Sequence, residues 1–252
     1  MAQEQPTEVR TREDWHRAIE SPAMLDYGVY LACDQLLTCQ KPLAELCNGD
    51  ELQFQIVHQV EELWMKLIAY TLVDVIDRLR EGETNRVLSL MGRVHRLQRL
   101  MIQQLDVLET MSPKEYQEVR LQLGNGSGQE SPGFRILLHM PPDLWAAYKE
   151  RYLDASDRTV DDVYDEGYAH DDAYMVAEAL TEYDELFQIF RWRHLFLIDR
   201  SIGSQSKSLK GRPVEQLQTG ARKALFPELW RVRSEMTDRW GGSYGVVRDS
   251  IA

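Results

Sequence analysis

Six histidines are spread along the chain: His16, His58, His95, His139, His170 and His194. His194 follows Phe187 and Phe190 and precedes Leu197 and Ile198, spacings that set all five on one helical face. A neutral imidazole on a dry, aromatic-rich helix face is how proteins offer an axial ligand to haem iron. It sits in the run Phe190-Arg191-Trp192-Arg193-His194, whose arginines have the charge to pair with haem propionates. The competing reading is a core histidine bonded to a backbone carbonyl, and composition alone favours it. His58 follows Phe54 by four residues, so ring and imidazole share a face that either lines a pocket or packs against a neighbour. Tyr116 and Arg120 are also four apart, ahead of a glycine-rich turn. A guanidinium with a phenol one turn away suits a carboxylate, and a solvated polar stripe would look the same.

Other chemistries have less support. The acidic pairs Asp161-Asp162, Asp165-Glu166 and Asp171-Asp172 lack the order of an EF-hand loop and read as a solvated stretch. There is no HExxH pair, no GxSxG serine and no phosphate-binding glycine fingerprint after a strand. Cys33, Cys39 and Cys47 are odd in number and form no CxxC pair, which argues against a disulfide framework and structural zinc and for a reducing, cytoplasmic setting.

These side chains need long helices to hold them, and the spacing of apolar residues provides such helices. A polar tail leads into a helix from about Arg12. Asp26 to Cys39 reads as one short amphipathic helix. Leu46 to Gly82 gives the strongest helical signal, with a predicted stripe of Val57, Val60, Trp64, Leu67, Thr71 and Val75, and Gly82 as its C-cap. A second long helix is expected from Asn85 to about Glu109, with Val87, Leu90, Val94, Leu97 and Met101 on one face. Ser112-Pro113-Lys114-Glu115 carries a capping box with proline at the first helical position, and that helix should stop at Gly124. Pro141-Pro142 interrupts the next segment, and Asp154 to Asp172 reads as a loop. Ala173 to Ile202 is a long helix ended by Gly203, followed by a Ser/Lys loop to Gly211. Two last helices, Val214–Leu225 and Glu228–Trp240, are split at Pro227. No strand alternation or internal repeat is present. The fold class is all-α, a helical bundle of long helices able to enclose a haem pocket. The domain layout expected is a tail and short helix over 1–25, one helical catalytic domain over 26–240 and a tail over 241–252.

The bulk properties agree. Hydrophobic residues make up 43% and charged residues 28% of the 252 residues, enough apolar side chain for a real core. A net charge of −12 disfavours nucleic acid and anionic membrane as partners. The start is polar and reads as no signal peptide, and the apolar runs are broken well before membrane-spanning length.

Taken in order, five segments resemble the tryptophan 2,3-dioxygenase family. Tyr27-Gly-Val-Tyr30-Leu31-Ala-Cys-Asp34-Gln-Leu36-Leu37 is similar to its YxxYLxLDxLL. Phe54-Gln-Ile-Val-His58-Gln59-Val-Glu-Glu62-Leu63-Trp64-Met-Lys66 is similar to FxxxHQxxELWFK. Tyr116-Gln-Glu-Val-Arg120-Leu-Gln-Leu123-Gly124, running on to Ser127-Gly128, is similar to YxxFRxxLG and the SSG that follows. Trp192-Arg193-His194 with Arg200-Ser-Ile202-Gly203 resembles WRxxH…RxIG, and Ala224 to Trp230 resembles FFPELxxVR. The resemblance runs from Asp26 to about Arg233.

The resemblance implies roles. His194 would be the axial ligand to the iron of haem b, and His58 the distal histidine that accepts the indole N–H. Phe54 would pack on the indole, Arg120 with Tyr116 would hold the substrate carboxylate, and Leu123 and Ser127 would border the pocket. Tyr27, Tyr30 and Leu31 would reach into a neighbouring site of a homotetramer with exchanged N-terminal segments. The partners would be O2 and tryptophan or a methylated analogue, with oxygen inserted at indole C2/C3.

Two departures bear on the outcome. The family's GTGGSSG loop corresponds here to Ser206-Lys207-Ser208-Leu209-Lys210-Gly211-Arg212-Pro213. Ser208 aligns with its threonine, but most of the glycine freedom is gone. The family's FQSxQFR reads Gln129-Glu130-Ser131-Pro132-Gly133-Phe134-Arg135, and its GNKN segment is absent. Insertion of a single atom, giving a 2-oxindole, therefore stands beside dioxygenation to N-formylkynurenine and beside haem binding without turnover.

Overall fold

Gly82 makes the turn around which the structure is built. It takes the left-handed conformation, φ 75°, that glycine adopts without strain, and its amide and that of Glu83 close onto the carbonyls of Leu79 and Arg78. The chain thereby folds back on itself as a long helical hairpin. The structure is a computed structural model and describes residues 10–20, 25–124, 126–165, 169–204, 206, 220–221 and 223–240. Its helices are α1 (Arg12–Glu20), α2 (Asp26–Tyr30), α3 (Cys33–Leu36), α4 (Glu51–Glu81), α5 (Thr84–Leu108), α6 (Pro113–Gln122), α7 (Pro132–His139), α8 (Pro141–Tyr152), α9 (Val160–Asp165), α10 (Asp172–Ile202) and α11 (Pro227–Trp240). Among the described residues there is no strand, and no helix is long and apolar enough to cross a membrane.

Helices α4 and α5 form the antiparallel hairpin, and α10 lies along α5 in the same direction. Their contacts climb in step: His95 to Ala179, Gln98 to Tyr183, Asp106 to Arg193. The shared core holds Ile68, Leu72, Val75 and Leu79 of α4, Val87, Met91, Val94 and Met101 of α5, and Val176, Tyr183 and Phe187 of α10. α7 and α8 cover the open side of α4, where Phe134 stacks on Phe187 at 5.5 Å. α11 closes the far side through Phe226, Leu229 and Val232, all fully buried.

The capping box before α6 forms as its residues predict. Ser112 Oγ accepts from the Glu115 amide and Glu115 Oε2 from the Ser112 amide, both at 3.2 Å. A Ser112→Ala variant should lose about 1 kcal/mol, read as a lower denaturation midpoint with an unchanged denaturant slope.

Four sequence expectations need correction. Asp26–Cys39 is two short helices, broken where Ala32 turns left-handed at φ 51°. Neither piece buries a residue, so no packing holds a single helix together. α4 begins at Glu51, not Leu46. Its buried line runs through Val57, Met65, Ile68, Leu72 and Val75, whereas Leu67 of the expected stripe is 37% exposed. The helix is apolar on two faces, with Ile56, Leu63, Tyr70 and Val73 outside, so spacing alone fits more than one line. Finally, the acidic stretch contains α9. Val160, Val163 and Tyr164 bury its inner face, and Arg239 neutralises Asp161 and Asp165. The expected helix Val214–Leu225 lies largely outside the described residues.

Candidate functional site

Phe54 and His58 stand one turn apart near the start of α4, ring centroids 4.1 Å apart. His58 Nδ1 is 2.7 Å from the carbonyl oxygen of Phe54. A carbonyl only accepts, so Nδ1 carries the proton, and in the neutral ring Nε2 keeps an open lone pair. Burial pushes the His58 pKa down, against smaller upward pulls from the Phe54 carbonyl and Glu62. The helix itself thus fixes a neutral histidine whose outward nitrogen is an acceptor.

Tyr116 on α6 faces the same place, its ring 6.3 Å from that of Phe54. Burial raises its pKa, and the Arg120 guanidinium one turn further along opposes the rise. Beyond α6 the chain turns through Gly124, at φ 57°, and Ser127 caps a 3-10 turn at Gly128–Glu130 by accepting from the Gln129 amide. That turn brings the backbone against α10. A Cβ placed on Gly128 would lie 3.6 Å from Cε1 and 3.7 Å from Nε2 of His194.

His194 is held edge-on to Phe190, centroids 6.3 Å apart at 73°. Burial first, and the neighbouring His58 second, lower its pKa to about 4. It is neutral at pH 7 with a free lone pair, and no described residue is seen hydrogen-bonding its ring. The described residues hold no group of three or more His, Cys, Asp or Glu that could bind a bare ion. One half-buried, neutral imidazole fits a metal that arrives with its other ligands already in place, as haem iron does.

His95, buried between α5 and α10, is different. His95 Nε2 lies 3.0 Å from the Ala179 carbonyl and its Nδ1 lies 3.1 Å from a Glu182 oxygen. It is the carbonyl-bonded core histidine that the sequence also allowed for. The arginines around His194 are occupied by protein groups. Arg191 donates to the carbonyls of Gly220 and Lys223, each at 2.8 Å, Arg193 pairs with Asp106 and Glu109, and Arg200 with Glu109.

Of the residues singled out in the sequence, Phe54 lies against both His58 and Tyr116, Arg120 acts on Tyr116 one turn away, and His194 is near enough to His58 to feel its charge, so the five mark one site on α4, α6 and α10. Leu123 and Ser127 lie on the turn beside it, both exposed. Tyr27, Tyr30 and Leu31 do not join it within one chain; on and just after α2 they are 76%, 88% and 43% exposed. Ser208 lies outside the described residues. Sequence reading named Gly128 within a motif but gave it no role of its own. It missed Glu61, an acid on an otherwise apolar line. An apolar groove of about 420 Å³ runs along the outer face of α4, lined by Ile19, Leu37, Leu43, Ile56 and Leu63. No catalytic pair converges there.

Comparison with known proteins gives the following. The family model of tryptophan 2,3-dioxygenase matches residues 12–161. That stretch includes His58 and Arg120, and His194 lies beyond it. A tryptophan 2,3-dioxygenase of Serratia proteamaculans is 29% identical over 87% of this chain and 98% of its own. One of Anaeromyxobacter sp. is 31% identical, over 85% and 97%, and one of Nocardioides sp. is 32% identical, over 86% and 97%.

Proposed function

This chain belongs to the tryptophan 2,3-dioxygenase family, and from that premise we propose that it is a haem-dependent oxygenase inserting O2-derived oxygen at indole C2/C3 of tryptophan or a methylated analogue. The observation that carries the reading is the pair of neutral imidazoles of α4 and α10, close enough for His58 to act on His194, with the tautomer of His58 fixed by Phe54. Haem bound at His194 supplies oxygen activation. The protein's own residues bind, orient and keep water out.

His58 Nε2 accepts the indole N–H, a role for which its proton on Nδ1 prepares it. The Phe54 ring packs on the indole. Arg120 holds the substrate carboxylate with Tyr116 beside it, and burial keeps that phenol protonated as a donor. Leu123 and Ser127 border the entrance, and Ser208 is assigned to the same wall by its alignment with the family's threonine. Tyr27, Tyr30 and Leu31 complete a neighbouring subunit's site in a homotetramer; their exposure and the apolar outer face of α4 support this. The catalytic domain spans 26–240, and three free cysteines accord with a cytoplasmic setting.

Lys207, Lys210 and Arg212 stand where the family has mostly small residues, and on that difference in sequence we propose insertion of one oxygen atom. Mass analysis of the product, from reduced holoprotein with tryptophan and its methylated analogues in air, tests this. A gain of one oxygen marks a 2-oxindole; a gain of two marks N-formylkynurenine. Absence of any oxygenated indole product overturns the assignment.

A further inference from the structure

Phe54, His58, Glu61 and Met65 follow one another at steps of four, three and four, which lays them along a single line on α4. Three of them have an obvious place beside an indole or in a core. Glu61 does not. Only 4% of it is exposed, and its Oε1 has no hydrogen-bond partner. Glu62, next in the chain, uses both oxygens, accepting from Ser131 Oγ and from the Gly133 amide. Buried carboxyl oxygens are rarely left unpaired, and each such case calls for a reason.

No counter-charge explains it, because no ion pair to Glu61 is found among the described residues. On α4 the nearby ionisable groups are His58 and Glu62. The buried face of α5 brings His95, bonded to Ala179, and the neutral Gln98. Arg135 and His139 of α7 are exposed, as are Lys149 and Arg151 of α8. On α10, Arg191 is taken by two carbonyls and Asp184 by amides, and Tyr183 and His194 are neutral.

We infer that Glu61 makes substrate binding proton-linked: its carboxyl must be in the neutral acid form for the compartment between α4 and α10 to close dry around an indole ring. A neutral acid one turn from His58 adds no charge to the line of α4 on which the ring packs. An ionised one, having no partner, must draw in water, and an apolar ring entering the same space competes with that hydration. Burial, with Glu62 as a lesser cause, raises the Glu61 pKa to about 8, so the neutral form prevails at pH 7 and is lost above it. Bringing in the ring desolvates the carboxyl further, so binding above pH 8 takes up a proton. The inference rests on the reading of the site given above.

The test is the affinity of the ferrous holoprotein for tryptophan, followed by its absorbance change at pH 7 and pH 9, in the wild type and in Glu61→Gln. The wild-type affinity should fall about tenfold over that range, and calorimetry in two buffers at pH 9 should show uptake of about one proton per site. Glu61→Gln, which keeps the shape of the neutral acid, should remove both the fall and the uptake. The substrate ammonium titrates alike in both proteins and cancels. A wild-type protein with no alkaline fall, or equal falls in the two proteins, overturns the inference alone. Absence of tryptophan binding by the wild type at either pH sinks the reading of the site and this inference with it. A check needing no variant is the carboxylic-acid carbonyl band of the wild type in the infrared, which should titrate away around pH 8; its absence at pH 7 overturns the inference.

Discussion

A His194→Ala variant should fold, take up no stable haem and lose turnover by more than the ~10–100-fold that removing an outer-shell partner of a metal site costs. Folding should survive because the imidazole makes no hydrogen bond to a described residue, so its removal leaves no polar group stranded. Alanine also sustains α10 better than histidine does. What disappears is the neutral nitrogen, and no second described histidine is placed to replace it beside Gly128. Imidazole added to the variant should restore part of the haem spectrum by occupying the space left behind. His95→Gln is the matching control. That side chain is buried against Ala179, so its loss should cost about 1–3 kcal/mol of stability and leave haem uptake intact. If His194→Ala instead keeps the wild-type haem spectrum, the iron is held by another side chain and the assignment of His58 to the opposite face fails as well.

The contrast between these two histidines marks how far the sequence could be read. Both lie on apolar helical faces, and periodicity alone cannot separate a ligand from a core residue. The difference arises from what the neighbouring helix offers: Ala179 presents a carbonyl to His95, whereas the turn at Gly128 presents a bare backbone to His194. Local signals were legible wherever they are self-contained. The Ser112 capping box, the Gly82 cap, the Gly203 stop and the α5 stripe all formed where their residues place them. Register was not legible on α4, because two of its faces are apolar and tertiary packing selects between them. Nor was α9, whose acids look solvated until Arg239 arrives from the far end of the chain. The motifs singled out His58, Arg120 and His194. They gave no sign of Glu61, whose oddity is visible only once its burial is known.

Asp184→Ala should be the most damaging single change to stability. Asp184 is completely buried on α10. Its Oδ2 accepts from the Leu225 amide at 2.8 Å, the Phe226 amide at 3.0 Å and Trp230 Nε1 at 2.8 Å, while Gln188 Nε2 donates to Oδ1 at 2.9 Å. Arg191, two turns along α10, grips the carbonyls of Gly220 and Lys223 just upstream. The two side chains thus satisfy opposite polar groups of one returning segment and seat Phe226 and Leu229 in the core. Alanine at 184 would strand the buried Phe226 amide together with the half-buried Leu225 amide and Trp230 indole N–H, and leave the Arg191 charge less well compensated, a loss of about 3–5 kcal/mol. For a chain of this size that means a melting temperature lower by roughly 10 °C. Asp184→Asn keeps an acceptor oxygen for the three donors and, if the Gln188 amide turns over, also satisfies the new NH2; it should cost only about 1–2 kcal/mol. Thermal unfolding of Asp184→Leu, which fills the volume but offers no acceptor, separates a hydrogen-bonding role from simple packing: it should fall about as far as alanine, and would match the wild type if only volume mattered. The haem spectrum of the folded fraction should not move in any of them, because His194 keeps its own surroundings on α10. A melting temperature of Asp184→Ala within about one degree of the wild type would mean that this segment is held by its apolar side chains alone.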